Sequence, residues 1–206
     1  MSKNTQVWYR KLFPTAHKLI LQKMINEVAP KVSGKVLVVG AGFGEYKSLF
    51  KNAELVICTD IDELIHIDQV ADAHSLPFLD GSFDSVIAFE VFEHLEDPYK
   101  ASSEVYRVLR NNGSAYISIP YMFRIHADPN DFTRFTYNGL IKLFSQFKLI
   151  EINALGNSLH VVSDIISTRS KVAASLRIFN HLFAMIGSKP NKAYDCPTGY
   201  FVFLNK

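Results

Sequence analysis

Hydrophobic positions along the chain switch repeatedly between the spacing of a strand and that of a helix. Leu21, Met24, Ile25 and Val28 recur at helical spacing, with Pro14 suited to a first turn and Pro30 to a stop. Lys35 to Val39 is a short β-branched run that ends in glycines, and Tyr46, Leu49 and Phe50 then open a helical pattern. "ELVICTDID" predicts a second strand ending in acids, "LIHIDQVADA" a shorter and weaker third, and "FDSVIAFE" a fourth. Asp97 followed by Pro98 marks the cap and first position of a helix with Val105, Val108 and Leu109 on one side. Asn111-Asn112-Gly113 is expected to close that helix. "SAYISIP" is a fifth strand, Thr136 caps a helix bearing Leu140, Ile141, Phe144 and Phe147, and "KLIEINAL" is a sixth strand.

Strands that alternate with helices form a mostly parallel sheet covered on both faces, so the fold class is α/β. The rhythm breaks near the end. Leu159 to Ile186 reads as apolar helix, and "GYFVFLNK" finishes as a strand. The expectation is a single domain over 1–206, with N-terminal helices in 1–30 and a binding core in 31–156. A helical insertion fills 157–195, and the last strand covers 198–206.

Length and composition change this picture little. A chain of 206 residues, 48% hydrophobic and 20% charged, suits one folded domain. A net charge of +2 is too small to imply nucleic acid as a partner. Cys58 lies in an apolar run and Cys196 far from it, which favours buried or free thiols over a disulfide or metal site. The segment MSKNTQVWYRKLF lacks the apolar core of a signal peptide, and no run suggests a spanning helix, so a cytoplasmic location is expected.

In an open parallel sheet, ligands gather beyond the carboxyl ends of the strands, first of all at the first strand-to-helix turn. Gly40, Gly42 and Gly44 form a G-x-G-x-G turn there, where glycine lets the backbone approach a ligand. A dinucleotide fingerprint wants its third glycine at 45, where Glu45 stands, and this disfavours an NAD(P)-dependent oxidoreductase. Asp60 ends the second strand, where a carboxylate accepts from a ribose diol, although a strand-end acid is also an ordinary helix cap. Asp72 ends the third strand and can accept from an adenine amino group, or merely form a turn.

The run "VLVVGAGFGEY…CTDID…VADAHSLPFLDGSFDSVIAFEVFEHLEDPYKASSEVYRVLRNNGSAYISIP", roughly residues 35 to 120, resembles class I S-adenosylmethionine-dependent methyltransferases, in particular their small-molecule branch. The resemblance implies a Rossmann-like, doubly wound seven-stranded sheet whose last strand is antiparallel, with "GYFVFLNK" in that role. It implies S-adenosylmethionine as cofactor. Gly40, Ala41 and Gly42 would pass along its methionine part, Asp60 would bind the ribose hydroxyls and Ile61 pack on the adenine. Asp72 and Ala73 would face the adenine edge, and Phe89 and Glu90 would close the site. The family carries an acid two residues before its first glycine, and this chain has Val38 there. That departure motivates an alternative from another class: a catalytically degenerate S-adenosylmethionine-binding regulatory or scaffold protein.

Methyl transfer is an in-line displacement on a sulfonium, so the protein supplies orientation and, for a hydroxyl acceptor, a base. His126, just past the fifth strand, is the candidate base, with Asp128 beside it facing the acceptor; a solvated loop histidine is the plain alternative. His94 is expected to shape the start of its helix. Glu90, Glu93 and His94 have helical spacing, yet no second cluster completes a site, so no metal is expected.

The loop "RIHADPNDFTRFT" looks like that of methyltransferases associated with surface-glycan assembly, which implies a sugar, nucleotide-sugar or lipid-linked glycan as acceptor. Aspartates accept from hydroxyls, arginines hold phosphate and aromatic faces stack on rings. Asp131 and Arg134, three apart, suit an internal ion pair that braces the loop, with Phe132 also structural. The insertion carries Val172, Leu176, Phe179, Phe183 and Ile186 along one face with basic flanks. Packing on the domain or a second subunit, as in a homodimer, or a lid over the acceptor is favoured over contact with an anionic membrane.

Overall fold

The computed structural model of the protein describes residues 14–42, 44, 46–126, 130–169 and 196–206, with Arg169 described by its backbone alone. Thr15 caps helix α1 (Ala16–Val28) by accepting from Lys18 N, so Pro14 stands just before the cap rather than inside the first turn. A 3-10 turn at Ala29–Lys31 follows, and β1 (Gly34–Val39) enters the centre of the sheet. After the glycine turn come the short helix α2 (Tyr46–Leu49), β2 (Ala53–Asp60), β3 (Gln69–Val70) and β4 (Phe83–Phe89). A 3-10 turn at Phe92–His94 leads to α3 (Pro98–Val108) and β5 (Leu109–Pro120). The chain continues through α4 (Tyr137–Leu143), β6 (Leu149–Leu155), α5 (Ser158–Arg169) and β7 (Gly199–Asn205).

The seven strands form one sheet in the order β3-β2-β1-β4-β5-β7-β6. β1 pairs in parallel with β2 and β4, and β4 with β5, whereas β7 is inserted antiparallel between β5 and β6. This is the doubly wound sheet with an antiparallel last strand that the sequence led us to expect. The central strands bury both faces because alternate residues enter different cores. Leu37, Val86, Ala88, Ile117 and Val202 meet α3 and α4 through Val105, Val108, Leu140 and Phe144. Val36, Val38, Ile87, Phe89 and Phe201 meet α1 through Leu21, Ile25 and Val28 on the other side.

Asp97 and Thr136 cap their helices as expected, accepting from Lys100 N and Gly139 N. One expectation is corrected. Asn111-Asn112-Gly113 does not close α3, because the helix ends at Val108 and Leu109 already belongs to β5. Leu109 is fully buried there, Asn112 N donates to Lys206 O, and Gly113 O accepts from Lys206 N. Only the first part of the expected helical insertion, α5, lies among the described residues. The apolar face from Val172 to Ile186, and with it the choice between lid, subunit contact and membrane contact, lies outside them. Among the described residues no helix is long and apolar enough to cross a membrane.

Candidate functional site

The carboxyl ends of β1, β2, β4 and β5 share one rim of the sheet, and the residues singled out from the sequence gather there. Gly40 and Gly42 both have positive φ, 64° and 52°, which permits the sharp turn after β1. A Cβ on Gly40 would meet Val91 Cγ2 at 2.5 Å, whereas nothing lies within 4 Å of one on Gly42. Gly42 therefore faces open space. Ala41 N donates to Thr59 O at 2.9 Å, and Gly42 N to Asp60 Oδ2 at 2.8 Å, so the glycine turn is tied to the end of β2. Asp60 Oδ1 accepts from Asp62 N at 3.2 Å, and its carboxylate keeps lone pairs for a diol. The Ile61 side chain, 65% exposed, offers an apolar surface beside it.

Asp72 Oδ1 accepts from His74 N and faces His74 Nδ1 at 2.7 Å, and these bonds hold the Asp72 carboxyl below its usual range. Its second oxygen remains for a ligand. Ala73 packs partly against the core. Phe89 is buried between Tyr46 and Phe201, so it meets the rim with its backbone rather than its ring. A cavity of about 600 Å³ lined by Lys47, Phe50, Leu55 and Asp68 includes none of these residues. Val38, the departure from the family pattern, is buried in β1 and contributes nothing polar to the turn.

Glu90 follows β4 with φ 56°, a strained conformation for a residue with a side chain. Its amide donates to Ser118 O and Oγ, and its Oε1 accepts from Ser118 Oγ at 2.8 Å. Glu90 Oε2 lies 2.9 Å from Nε2 of buried His17, at the start of α1. Thr198 Oγ1 donates to Leu155 O, so it accepts from His17 Nδ1–H at 2.9 Å. With Nδ1 protonated, the proton between His17 Nε2 and Glu90 makes an imidazolium–carboxylate pair. Burial opposes both charges, but each partner offsets it: the His17 pKa is raised and that of Glu90 lowered. Asp164 of α5 accepts from the Ala16 and His17 amides at 2.7 and 2.9 Å and so fixes the start of α1.

Beyond β5, the loop closes on the turn that follows β4. Phe132 N donates to Glu93 O at 2.8 Å. Arg134 holds both oxygens of Asp131, Nη2 reaching Oδ2 at 2.6 Å, and His126 N donates to Asp131 Oδ2 at 2.9 Å. The bracing pair expected from the sequence is therefore formed. His126 is part-buried, its ring edge-on to that of His94 at 5.1 Å. Burial, offset in part by a bond to Arg124 O, leaves its pKa below the usual imidazole range. Asp128 lies outside the described residues, as does Glu45. His17, Ser118, Asp164 and Thr198 are the site residues that sequence reasoning missed, and Glu93 was weighed only as a metal ligand and set aside. The burial of Glu93 had no clear local signal, since Glu90, His94, Glu96 and Asp97 surround it in sequence.

Comparison with known proteins agrees with this geometry. Residues 37–117 match the family model described as a methyltransferase domain. A probable S-adenosylmethionine-dependent methyltransferase of Mycolicibacterium smegmatis is 33% identical over 124 residues, 55% of this chain and 45% of that protein. The chain thus spans about half the length of the curated relatives it matches. Among solved structures, a SAM-dependent methyltransferase from Archaeoglobus fulgidus superposes with a TM-score of 0.63 at 19% identity, covering 98% of this chain and 99% of that one. A SAM-dependent methyltransferase from Thermotoga maritima, described as a possible histamine N-methyltransferase, gives 0.65 at 15% identity over 98% and 95%. At these identities the likeness shows the fold.

Proposed function

We propose that the chain is a class I S-adenosylmethionine-dependent methyltransferase domain with S-adenosylmethionine as its cofactor, and that it methylates a small-molecule or glycan-like acceptor at oxygen. The observation that carries the reading is the rim itself, where the Gly40–Gly42 turn, tied to Asp60, opens onto free space beside Glu90. A cofactor fits these residues. The open face of Gly42 would admit the methionine part and Asp60 the ribose hydroxyls, with Ile61 and Asp72 toward the adenine. Bound there, the cofactor supplies an electrophilic methyl group. The chain's own task is to orient the acceptor and exclude water. His126 and Asp128, which follow β5, are assigned to the acceptor side, and the loop that Asp131 and Arg134 brace would hold a polar acceptor such as a sugar. A cytoplasmic setting goes with this reading, since Cys58 and Cys196 are both free thiols.

The degenerate alternative rests on Val38, whose burial leaves the turn without the usual acid. Calorimetry with S-adenosylhomocysteine, together with a methyl-donor assay against sugars, nucleotide-sugars and lipid-linked intermediates, separates the two. Binding with turnover supports the proposal, binding without turnover on any acceptor supports the alternative, and no binding removes both. Asp60→Ala is expected to abolish binding; retained affinity would refute its role. His126→Ala is expected to spare cofactor binding and slow transfer.

A further inference from the structure

Glu93 presents a problem that methyl transfer does not explain. Its side chain is 0% exposed, and among the described residues neither carboxylate oxygen has a hydrogen-bond partner. Burying an unpaired carboxylate is costly even after relaxation. A proton or a cation must meet those oxygens, since burial, then the nearby Glu90 charge, raises the Glu93 pKa to about 9.

The nearest polar atoms are two imidazole nitrogens. His94 Nε2 lies 3.5 Å from Glu93 Oε1, and His126 Nε2 lies 4.0 Å from it. In the neutral rings both would face the carboxylate with a lone pair, since their other nitrogens hold the hydrogen. His94 Nδ1 bonds the carbonyl of Asn130, which can only accept, so that nitrogen carries the hydrogen. His126 Nδ1 faces Arg124 O and Asp131 Oδ2, each at 3.4 Å, and again both are acceptors. Three electron-pair donors thus converge within 4.8 Å of one another. Carbonyls and a carboxylate behind the rings fix their tautomers, which is how histidines are prepared as metal ligands.

We propose that Glu93, His94 and His126 bind a divalent first-row transition ion, with its remaining coordination positions open on the same rim as the glycine turn. Imidazole nitrogens with a single carboxylate suit zinc, manganese, iron or cobalt better than magnesium or calcium. Bond lengths of about 2.0–2.2 Å require the donors to draw in by roughly an ångström. Because His126 N is tied to Asp131, the approach would fall mainly to the side chains. Glu90 is not a ligand, being committed to His17 and Ser118. The site was not expected from sequence because Glu90, Glu93 and His94 lacked a partner cluster. His126, thirty-two positions after His94, completes it. In this arrangement the ring of His126 serves the ion rather than acting as a free base. Use of the ion to hold an acceptor oxygen rests on the methyl-transfer reading; its binding does not.

The test uses the full chain, stripped with a chelator and titrated with Co²⁺, Zn²⁺ and Mn²⁺ by calorimetry and, for Co²⁺, visible absorption. The proposal expects one ion per chain, and at least ~10-fold weaker binding in Glu93→Gln and His126→Ala. Nitrogen NMR of the unmutated protein removes any dependence on variants that fold poorly. Zn²⁺ should shift Nε2 of His94 and His126 and leave His17 unmoved. No stoichiometric ion, unshifted Nε2 resonances, or equal affinity in both variants would overturn the proposal and leave Glu93 a protonated buried acid. S-adenosylhomocysteine binding is measured on the same samples. Its loss with ion binding intact sinks the methyl-transfer reading alone, and the reverse sinks the metal site alone.

Discussion

His17 Nε2 lies 2.9 Å from Glu90 Oε2, which binds the first turn of α1 to the residue that ends β4, seventy-three positions away. A helix outside the matched family segment thereby becomes part of the rim.

Stability should depend on pH through this pair. The folded His17 pKa is raised above 6.5, so its contribution is complete below that value and lost as pH rises through the folded pKa. The folded Glu90 pKa is lowered below 4.5, so its contribution is complete above 4.5 and lost as pH falls through the folded pKa. The two overlap fully between 4.5 and 6.5. His17→Gln is expected to cost about 2 kcal/mol in that window, less than a fully buried pair because Glu90 is 27% exposed. Melting temperatures of both proteins from pH 3 to 9, on the order of one point per half unit, should differ most within the window; a constant gap would contradict the pairing.

The two positive-φ glycines should separate stability from binding. Gly40→Ala places a methyl against Val91 at 2.5 Å in a left-handed conformation and is expected to cost ~2–4 kcal/mol in urea unfolding. Gly42→Ala meets nothing within 4 Å, so ~1–2 kcal/mol of backbone strain is expected. Its methyl instead enters the space proposed for the cofactor, and affinity for S-adenosylhomocysteine should fall. Equal stability losses would show that the turn relaxes.

Asp131→Asn should loosen the loop. Removing the charge weakens the fork to Arg134 and the bond from His126 N, worth ~1–2 kcal/mol together. The amides of His126 and Phe132 should exchange with solvent roughly tenfold faster, while those of β1 and β4 stay unchanged. Unaltered exchange at Phe132 would show that its bond to Glu93 O holds alone.

Asp164→Ala leaves the buried Ala16 and His17 amides without acceptors and is expected to cost about 2–4 kcal/mol. Asp164→Asn keeps one oxygen and should cost less. Denaturant midpoints decide between this and an Asp164 that is merely buried.

The alternation of strand and helix was readable because each element's period is local, and so were the caps at Asp97 and Thr136, which need a hydroxyl or carboxylate a few positions from an amide. The onset of β5 was not. Asn111-Asn112-Gly113 resembles a helix stop, yet Leu109 is drawn into the sheet by pairing with Phe83 and by Lys206, ninety-three residues beyond Gly113. The glycine turn, Asp60 and Asp72 follow from their places at strand ends. His17 follows from nothing local, since Glu90, Asp164 and Thr198 meet it only in three dimensions. Glu93 was hidden inside the charged string "EHLED", where burial cannot be seen from composition.

The position of β7 has a consequence for how the molecule is built. β6 precedes β7 in the chain, yet β7 is its sole neighbour in the described sheet, so β6 is held there only through β7. Without β7, β5 would offer a bare edge to any passing strand, a hazard for an incomplete chain. The segment that leads into β7 also brings Thr198 to His17, so one strand both links β6 to the sheet and completes the rim.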